Sequence, residues 1–318
     1  MRFLVTGAAG FIGSNLVDRL LAGGHEVVGY DNLSTGRLEF LAAAMAHPGF
    51  RLVRGDTLDP TALAAAMAGV GFVLHLAGNA DVRFGTHYPR RDLEQNTIAT
   101  LNVLEAMRAA GVRRIGYAST GSVYGEATVF PTPEDAPFPV QTSLYGASKL
   151  AGEALVSAYA EGFGFQGFVF RFVSILGPRY QHGHVYDFLR KLRANPQRLE
   201  LLGDGRQRKA YLHVDDMAEA VLLAIERAED RLTILNLGQD DHCTVLDSVG
   251  WITARLGLAP EIHCTGGERG WIGDNPFIFL DTRRIRALGW APRHGIRASV
   301  EATLDWLTAN PWILEAKP

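Results

Sequence analysis

The chain has little cysteine, little excess basic charge and no long apolar runs. Its two cysteines, Cys243 and Cys264, form no CxxC pair among 318 residues, so neither a disulfide framework nor a cysteine zinc site is indicated. The formal net charge is −3, which leaves no basic surplus to neutralise a nucleic-acid backbone. Charge or glycine interrupts every apolar run well short of a membrane span. We therefore expect neither nucleic acid nor a membrane as a partner.

Two further absences concern targeting and metals. The chain runs straight into the apolar segment RFLV at 2–5, which leaves no room for a signal peptide, so we expect a cytoplasmic protein. His182, His184 and His213 are scattered without the spacing of a zinc site. We therefore predict no metal. Hydrophobic residues make up 47% and charged residues 20%, which is ordinary for a globular enzyme.

Short β-branched segments alternate with helical ones along the first half of the chain. Strands are predicted at 3–6, 26–30, 51–54, 72–77, 114–118 and 166–175, and helices at 13–22, 60–68, 92–110 and 148–161. Such alternation predicts an α/β fold, a Rossmann doubly wound parallel sheet with helices on both faces.

The pattern loosens after residue 177, where a smaller α/β substrate-binding lobe is predicted. Helices are expected at 185–194 and 215–227, and a strand at 233–237 has the composition to rejoin the sheet. We assign 1–177 to the cofactor domain, which 210–240 partly rejoins. Residues 178–318 form the lobe, interleaved with that domain rather than strung after it.

A glycine-rich turn follows the first predicted strand. Gly7, Gly10 and Gly13 have a GxxGxxG spacing that opens a helix, where the backbone can approach a pyrophosphate at the helix N-terminus. Asp31 ends the second strand, where an acid can bind the adenosine ribose and repel a 2′-phosphate. Asp56 follows the third strand and is interpreted as an acceptor for the adenine amino group, with a turn or N-cap acid as the alternative. The pattern predicts NAD rather than NADP.

A tyrosine and a lysine share one helix face further along. Tyr145 and Lys149 are four residues apart, and a nearby ammonium lowers a phenol pKa of about 10 toward the range useful for proton transfer. Thr120 follows the fifth strand, whose carboxyl end faces the ligand crevice of such a sheet. Taken alone, Tyr145 and Lys149 are open to interpretation as an exposed pair at the surface, and Thr120 as an ordinary loop hydroxyl. With the glycine turn, they predict an oxidation site.

Taken together, these motifs resemble the extended short-chain dehydrogenases/reductases, in the branch of nucleotide-sugar epimerases and dehydratases. The resemblance covers nearly the whole chain. It rests on TGAAGFIGSNL at 6–16, DNLSTG at 31–36, HLAG at 75–78, STGSVYGE at 119–126, YGASK at 145–149, RFVSILGPR at 171–179, GDGRQRKAYLHVDD at 203–216 and RGWIGD at 269–274. Relatives commonly pair Rossmann helices into a four-helix bundle, which suggests a homodimer.

The resemblance implies roles for the site residues. Tyr145 takes the proton of a sugar 4-hydroxyl, Thr120 hydrogen-bonds the same oxygen, and Lys149 tunes Tyr145 and binds the nicotinamide ribose. NAD is regenerated in each turnover and stays bound. The predicted cofactor-binding residues are Gly7, Gly10, Phe11, Ile12, Gly13, Asp31, Asn32, Ser34, Thr35, Gly36, Asp56, Thr57, Leu76, Ala77, Gly78, Asn96, Ser119, Tyr145, Lys149 and Phe172.

The substrate implied by the resemblance is a UDP-sugar. The predicted substrate-binding residues are Ser122, Ser174, His184, Val185, Lys209, Tyr211, Arg269 and Asp274. Arg269 matches an arginine that clamps the diphosphate in the family, with a surface ion pair as the alternative. Several positions depart from the family pattern, among them Leu176, which stands where tyrosine is frequent. Ser174 replaces a common asparagine, and Lys209 stands where an arginine is usual, as a point charge rather than a bidentate fork.

The residues after Thr120 separate the possible reactions. Gly121 and Ser122 stand where the resembling 4,6-dehydratases carry an acidic pair, so elimination of water lacks its acid and base. We therefore expect a 4-epimerase of a UDP-hexose, UDP-glucose or UDP-galactose. A UDP-glucuronate 4-epimerase is the alternative, although 181–182 lacks an arginine for the carboxylate. A 4-ketosugar reductase also stays open, whereas the intact Tyr145 and Lys149 argue against a non-catalytic NAD sensor.

Overall fold

The computed structural model describes residues 1–137, 140–271, 273–275 and 277–315. Its strands are β1 (Arg2–Thr6), β2 (Glu26–Asp31), β3 (Phe50–Arg54), β4 (Phe72–His75), β5 (Arg114–Thr120), β6 (Gln166–Phe172), β7 (Ser174–Leu176), β8 (Arg198–Leu201), β9 (Arg208–Lys209), β10 (Tyr211–His213), β11 (Leu232–Leu237), β12 (Cys243–Thr244), β13 (Glu261–Cys264) and β14 (Phe277–Ile278). Its α-helices are α1 (Phe11–Ala22), α2 (Ala42–Met45), α3 (Pro60–Ala66), α4 (Phe84–His87), α5 (Pro89–Asp92), α6 (Ala99–Ala110), α7 (Leu144–Phe163), α8 (His184–Ala194), α9 (Val214–Arg227), α10 (Val245–Leu256), α11 (Arg283–Ala287), α12 (Ile296–Ala309) and α13 (Trp312–Glu315).

The central sheet has the strand order β11-β6-β5-β4-β1-β2-β3. Each of its six strand pairings in the described part of the chain is parallel. The order 3-2-1-4-5-6 is that of the Rossmann fold, with β11 added as an edge strand. The predicted α/β Rossmann fold is therefore confirmed.

Alternate residues of each central strand enter two separate cores. In β1, Leu4 packs on the face covered by α6, with Val103 in the same cluster. Phe3 and Val5 point to the opposite face, which is covered by α1 through Leu16. A parallel sheet buried on both faces in this way needs apolar side chains at nearly every position, as the strand sequences show.

Three smaller sheets accompany the central sheet in the described part of the chain. β7 pairs with β10, β8 with β13, and β9 lies between β12 and β14. The strand β14 lies close to the end of β5, as a Cβ at Gly121 would be 2.7 Å from Cγ2 of Ile278. β14 therefore borders the region in which the sequence places the active site.

Helix α7 begins earlier than predicted, at Leu144 rather than residue 148. Ser143 caps it by accepting a hydrogen bond from Gly146 N at 3.0 Å. The helix runs on to Phe163 and ends at Gly164, which has a left-handed φ of 66°. Tyr145 is consequently in the first turn, and Lys149 lies one turn further along the same face.

Other boundaries also differ from the predictions. The strand predicted at 166–175 is divided, since β6 ends at Phe172 and Ser174–Leu176 leaves the sheet to pair with β10. The helix predicted at 92–110 consists of α5, a π-helical segment at Leu93–Ile98 and α6. The strand predicted at 72–77 ends at His75, because Thr6 binds the following backbone amides.

The helices and the two cysteines of the described residues bear on two of the predictions made from the sequence. None of the helices in this part of the chain combines the length and hydropathy needed to cross a membrane. Cys243 is buried, Cys264 is half-buried, and both are free thiols.

A buried ion pair joins α7 to β6. Arg171 is 1% exposed, and its Nη2 lies 2.7 Å from Oε2 of Glu153, which is 5% exposed. Arg171 also donates from Nη1 to the Tyr124 hydroxyl at 2.6 Å and to the Glu134 carbonyl at 3.0 Å. Since charges removed from water are costly unless paired, this pair holds the helix in one position on the sheet.

We predict that Arg171→Met lowers the free energy of unfolding by about 3–5 kcal/mol, because it leaves the Glu153 carboxylate buried without its partner. The measurement is urea denaturation followed by circular dichroism. Arg231→Met is the matched control, because Arg231 pairs with Glu161 at the same 2.7 Å but both side chains are exposed. That change should cost less than about 0.5 kcal/mol. Equal losses in the two variants would contradict the assignment.

Candidate active site

The glycine turn between β1 and α1 leaves no room for a side chain at Gly7 or Gly13. Gly7 has φ +70°, and a Cβ there would lie 2.8 Å from Ala77 N. A Cβ at Gly13 would lie 2.0 Å from the Gly7 carbonyl oxygen. Gly10 is the N-cap of α1 and supplies no side-chain cap, so side chains do not cover the first amides of the helix. This is the arrangement that binds the pyrophosphate of a dinucleotide.

Asp31 at the end of β2 faces the glycine turn. Its Oδ2 accepts from Ala9 N at 2.9 Å, and its Oδ1 accepts from Leu33 N at 2.7 Å. Burial raises the pKa of Asp31, and these two amides act in the opposite direction. A Cβ at Gly36 would lie 2.9 Å from Asp31 Oδ1 and 2.8 Å from the Ala9 side chain. The predicted ribose acid and Gly36 are thus brought to the phosphate turn.

Asp56 contacts the same loop from the end of β3. Its Oδ2 accepts from Asn32 Nδ2 at 2.9 Å, and its Oδ1 accepts from Leu58 N at 2.9 Å. Ser34 and Thr35 are exposed on a bend next to Asn32. These residues border the predicted adenosine end of the cofactor site, while the adjacent Thr57 is buried at 5% exposure.

The residues after β4 form the floor between the glycine turn and α7. The amides of Leu76 and Ala77 both donate to Thr6 Oγ1 at 3.2 Å. Thr6 Oγ1 also lies 2.8 Å from His75 Nδ1. Burial lowers the pKa of His75 to about 3, so the imidazole is neutral. Thr6 and His75 belong to the motifs at 6–16 and 75–78, but neither was predicted to be a site residue.

Gly78 leaves space for two polar atoms. A Cβ at this position would lie 2.5 Å from Asn96 Oδ1 and 3.3 Å from Lys149 Nζ. Asn96 Oδ1 is buried without a hydrogen-bond partner among the described residues, and Asn96 Nδ2 donates to Ser148 Oγ at 2.9 Å. An unpartnered buried acceptor beside an ammonium is consistent with a site shaped for a polar ligand such as the cofactor ribose.

Lys149 is fixed beneath the end of β5. Its Nζ donates to the Ala118 carbonyl at 3.0 Å and lies 5.2 Å from the centre of the Tyr117 ring. Burial lowers the pKa of Lys149 to about 8, while the carboxylates of Asp92 and Glu153 act to raise it. The ammonium form of Lys149 therefore depends on these two acids near neutral pH.

Tyr145 is half-buried at the start of α7. Burial raises the pKa of Tyr145 to about 12, a hydrogen bond from Thr120 lowers it, and the Asp92 carboxylate raises it. The predicted effect of Lys149 on this pKa stays a prediction, and in the structure Lys149 Nζ donates to the Ala118 carbonyl.

The segment after Thr120 is a short 3-10 turn, Gly121–Tyr124. Ser122 N donates to Thr120 Oγ1 at 3.1 Å, and Thr120 Oγ1 lies 3.2 Å from Ser122 Oγ. A side chain at Gly121 would collide with Ile278 and approach Leu280. A carboxylate side chain at Gly121 therefore does not fit unless Ile278 shifts. The turn supplies hydroxyl groups but no acid.

The basic residues predicted for the diphosphate have different surroundings. Lys209 Nζ donates to Asp274 Oδ1 and to the Asn275 carbonyl, both at 2.7 Å. Since Asp274 is 4% exposed, the positive charge of Lys209 is already matched by a buried carboxylate. Arg269 pairs with Glu126 at the surface, and both side chains are about half exposed. Arg269 is thus the more accessible of the two cations.

The other predicted substrate residues lie on the lobe side. Ser174 is exposed at the start of β7. His184 Nε2 lies 2.9 Å from Ser248 Oγ, its ring packs on Tyr211 at 4.7 Å, and burial lowers the pKa of His184 to about 3. Tyr211 is 4% exposed and Val185 is fully buried, and both belong to the hydrophobic core that also contains α1.

The remaining predicted cofactor residues are distributed around the end of the sheet. Phe11 packs edge-on against Tyr180 at 5.6 Å, and Ile12 is half-buried in the first turn of α1. Ser119 is buried and donates to Glu153, and Phe172 ends β6 directly beside Thr120 in the sheet register. The structure thus gathers the predicted cofactor residues at the carboxyl ends of the central strands.

His213, Asp215 and His294 form the one group of potential metal ligands found among the described residues, with ligand atoms within 4.8 Å of one another. The two imidazole rings stack, with centroids 4.1 Å apart and planes inclined by 25°. Nearly parallel stacked rings do not direct their in-plane lone pairs at a common point. His213 Nδ1 also accepts from Asp215 N at the start of α9. This geometry is that of a helix cap packed on a second histidine.

Two acids of the site had no assigned role in the sequence analysis. Glu153 is eight residues after Tyr145, which places it on the same face of α7 as Tyr145 and Lys149. That spacing was a signal available in the sequence. Asp92 is 1% exposed beside a π-helical segment, where no simple helical spacing links it to Lys149.

The chain is similar to known proteins over almost its whole length. The NAD dependent epimerase/dehydratase family matches residues 3–238. The chain is 35% identical to the UDP-glucose 4-epimerase of Mycolicibacterium smegmatis over 316 residues, covering 96% of this chain and 98% of that protein.

Solved structures are similar over almost the whole chain. A crystal structure of a UDP-galactose 4-epimerase has 40% sequence identity and a TM-score of 0.87, covering 98% of this chain and 100% of the other. A UDP-glucuronic acid 4-epimerase from Bacillus cereus, in complex with UDP-glucuronic acid and NAD, has 26% identity and a TM-score of 0.90 with the same coverage. From the family match and these identities, the chain belongs to the NAD dependent epimerase/dehydratase family.

Proposed function

We propose that the chain is an NAD-dependent 4-epimerase that interconverts UDP-glucose and UDP-galactose. The observation that carries this proposal is the meeting of Thr120, Tyr145 and Lys149 at the end of β5, beside a turn that contributes no carboxylate. Such a site can oxidise and reduce a sugar carbon but lacks an acid and base for eliminating water. The named epimerase relatives support the same choice.

The cofactor would be held by the glycine turn, Asp31, and the floor around Gly78. The uncovered N-terminus of α1 suits the pyrophosphate, and Asp31 suits the adenosine ribose. Lys149 and the unpartnered Asn96 Oδ1 suit the other ribose. When bound, NAD would supply the acceptor and donor for the hydride that leaves and returns to C4 of the sugar.

The protein residues would manage the proton of the 4-hydroxyl. Tyr145 as phenolate takes this proton while the C4–H bond breaks, which leaves a 4-keto sugar. Thr120 hydrogen-bonds Tyr145, and its single hydroxyl proton could instead be donated to the reacting oxygen once substrate is bound. The ammonium of Lys149 favours the phenolate. Return of the proton from Tyr145, with hydride arriving on the opposite sugar face, gives the epimer without net oxidation.

The lobe would bind the UDP part of the substrate. Arg269 is the accessible cation for the diphosphate, and Lys209 would position the binding loop through Asp274 rather than contribute free charge. Ser122, Ser174, His184, Val185 and Tyr211 complete the proposed substrate set. We also retain 178–318 as this lobe, and 1–177 with part of 210–240 as the cofactor domain, because β11 pairs with β6.

We further propose a cytoplasmic homodimer. Leu93 and Leu101 are 51% and 39% exposed on the helical segment from α5 to α6, and Phe163 is 48% exposed at the end of the neighbouring α7. Exposed apolar side chains on adjacent helices are typical of protein contact surfaces. Two free cysteines are consistent with a reducing compartment.

The proposed activity predicts that purified protein converts UDP-galactose to UDP-glucose without added NAD. Tyr145→Phe should lower kcat by about 10²–10⁴-fold while NAD stays bound, because the variant removes only the proton-transfer hydroxyl. The measurements are chromatography of the nucleotide sugars and of cofactor released on denaturation. Failure of the wild-type protein to form UDP-glucose would refute this substrate assignment.

The same assay distinguishes the alternatives. Interconversion of UDP-glucuronate and UDP-galacturonate, with UDP-galactose left unchanged, would establish a uronate epimerase, which the exposed Ser174 and the Bacillus cereus relative allow. Net change in the absorbance of reduced nicotinamide during turnover would instead indicate a ketosugar reductase.

Loss of the Thr120 hydrogen bond should shift the pH dependence of the reaction. This bond lowers the pKa of Tyr145, so Thr120→Val raises that pKa and moves the limb of the kcat profile that reports Tyr145 to higher pH. At pH 7, kcat should fall by at least about tenfold. Thr120→Ser keeps the hydroxyl and serves as the control. A reduced rate with an unmoved limb in Thr120→Val would contradict this role.

Charge placed on the proposed contact surface should separate the dimer. Leu101→Glu puts a carboxylate among the exposed apolar residues of α6, so sedimentation should show a monomer. Leu246→Glu is the matched control, because Leu246 is 40% exposed on α10. A wild-type chain that sediments as a monomer, or a dimer unaffected by Leu101→Glu, would exclude this surface.

A further inference from the structure

Asp92 lies at an irregular point of the helix that borders the active site. It ends α5 and precedes the π-helical segment Leu93–Ile98, an element often found at functional sites. Both Asp92 and Asn96 are 1% exposed, although the segment between them is partly exposed. The irregular turn thus directs a carboxylate and an amide into the protein, toward α7.

The carboxylate of Asp92 is bound by neutral donors. Its Oδ1 accepts from Asn79 Nδ2 at 2.8 Å and from Asn96 Nδ2 at 3.4 Å. Its Oδ2 is buried and has no hydrogen-bond partner among the described residues. A Cβ at Gly85 would lie 2.4 Å from this Oδ2, so the glycine leaves space for the carboxylate. Amide donors hold the group in place without matching its charge.

Asn96 connects this carboxylate to Lys149. Asn96 Nδ2 contacts Asp92 and also donates to Ser148 Oγ at 2.9 Å, and Ser148 directly precedes Lys149. Asn96 Oδ1 and Lys149 Nζ both border the vacant Cβ position of Gly78. One amide side chain therefore separates the Asp92 carboxylate from the ammonium group.

The other groups around Lys149 do not supply a negative charge that is left unmatched, as Asp92 does. His75 is neutral, and Tyr117 offers its ring face. Glu153 lies one turn further along α7, but its charge is matched by Arg171 at 2.7 Å. Tyr145 is the group that the ammonium must act on. Asp92 is the buried carboxylate near Lys149 whose hydrogen-bond donors carry no charge.

We propose that Asp92 is a positioning residue of the active site, which holds Asn96 and keeps Lys149 in its ammonium form. The consequence for catalysis rests on the proposed function, whereas the effect on Lys149 itself does not. The pKa of Lys149 is lowered by burial to about 8, and Asp92 is the largest contribution that raises it. Burial raises the pKa of Asp92 itself, the hydrogen bond from Asn79 and the charges of Lys149 and Arg91 lower it, and Asp81 raises it.

The low lysine content of the chain permits a direct test. Only Lys149, Lys191, Lys209 and Lys317 are present, so protein labelled with ¹³C at the lysine side chains gives few NMR signals. Lys149→Arg identifies the Lys149 signal by its absence. Titration of the NAD-loaded protein then reports the pKa of this amine without any assumption about the substrate.

Removing the Asp92 charge should make Lys149 easier to deprotonate. In Asp92→Asn we expect the pKa of Lys149 to fall by about 0.5–1 unit, because an attractive negative charge is lost. Asp92→Ser keeps a hydroxyl acceptor in a smaller side chain and should give the same shift if Asp92→Asn does not fold. Glu94→Gln is the control, since Glu94 is a surface carboxylate two residues away that pairs with Arg90.

Moving the carboxylate from position 92 to position 96 separates its electrostatic effect on Lys149 from a structural effect of the substitution. The double variant Asp92→Asn with Asn96→Asp carries the carboxylate one turn closer to Lys149 and should restore or raise its pKa. In wild-type enzyme the limb of the kcat profile with UDP-galactose that reports Lys149 should follow the Lys149 titration, and it should shift to lower pH in Asp92→Asn. The limb that reports Tyr145 should shift the same way, because Asp92 also raises the pKa of Tyr145.

The results of these experiments distinguish failure of the Asp92 proposal from failure of the proposed function. An unmoved Lys149 titration in folded Asp92→Asn or Asp92→Ser protein overturns the proposal, even if activity falls. An equal shift in Glu94→Gln also overturns it. If the wild-type chain does not epimerise UDP-galactose, the proposed function fails, but the Lys149 titration still decides whether Asp92 acts on this amine.

Discussion

The close approach of α7 to strands β5 and β6 is the constraint on which the active site depends. A Cβ at Gly152 would lie 2.1 Å from the Tyr117 hydroxyl, so the helix can come this near only with a glycine there. At that separation Lys149 reaches the Ala118 carbonyl, and Glu153 reaches Arg171. The buried ion pair resists sliding of the helix along the sheet, because any displacement exposes an unmatched charge to the core. Tyr145 is therefore placed beside Thr120 by contacts made one and two turns further along the helix.

Residues whose function depends on local geometry could be predicted from the sequence. The glycine turn is one example, since Gly7 and Gly13 are required by contacts within the turn and with the adjacent strand. The alternation of strands and helices was another, because a parallel sheet covered on both faces leaves a repeated apolar pattern. The Tyr145 and Lys149 spacing was visible for the same reason, as both lie on a single helix. The positions of the helix ends were less predictable, because capping by Ser143 moved the start of α7 by one turn.

Residues whose function depends on distant partners could not be predicted in this way. Thr6 and His75 meet from different strands, 69 residues apart, and Lys209 and Asp274 are separated by 65. Their partners are determined by how the sheet and the lobe pack, which no local spacing encodes. Asp92 and Asn96 are four residues apart, so a regular helix through 92–110 also places them on one side. That this side faces Ser148 and Lys149 on α7 depends on how the helices pack, which no local spacing encodes.

Burial of the site has two opposed consequences for its chemistry. Removing Tyr145 from water raises its pKa to about 12, and removing Lys149 lowers its pKa to about 8, so both shifts disfavour the pair of charges that proton transfer requires. Burial nevertheless strengthens each interaction that restores the charges, because a lower dielectric screens them less. The Thr120 hydrogen bond acts on the tyrosine, and the Asp92 and Glu153 carboxylates act on the lysine. A carboxylate placed directly beside Tyr145 would oppose phenolate formation, as Asp92 already does to some degree. An uncharged turn at Gly121 and Ser122 avoids that penalty. The absence of acids there thus serves the ionisation of Tyr145 as well as the choice of reaction.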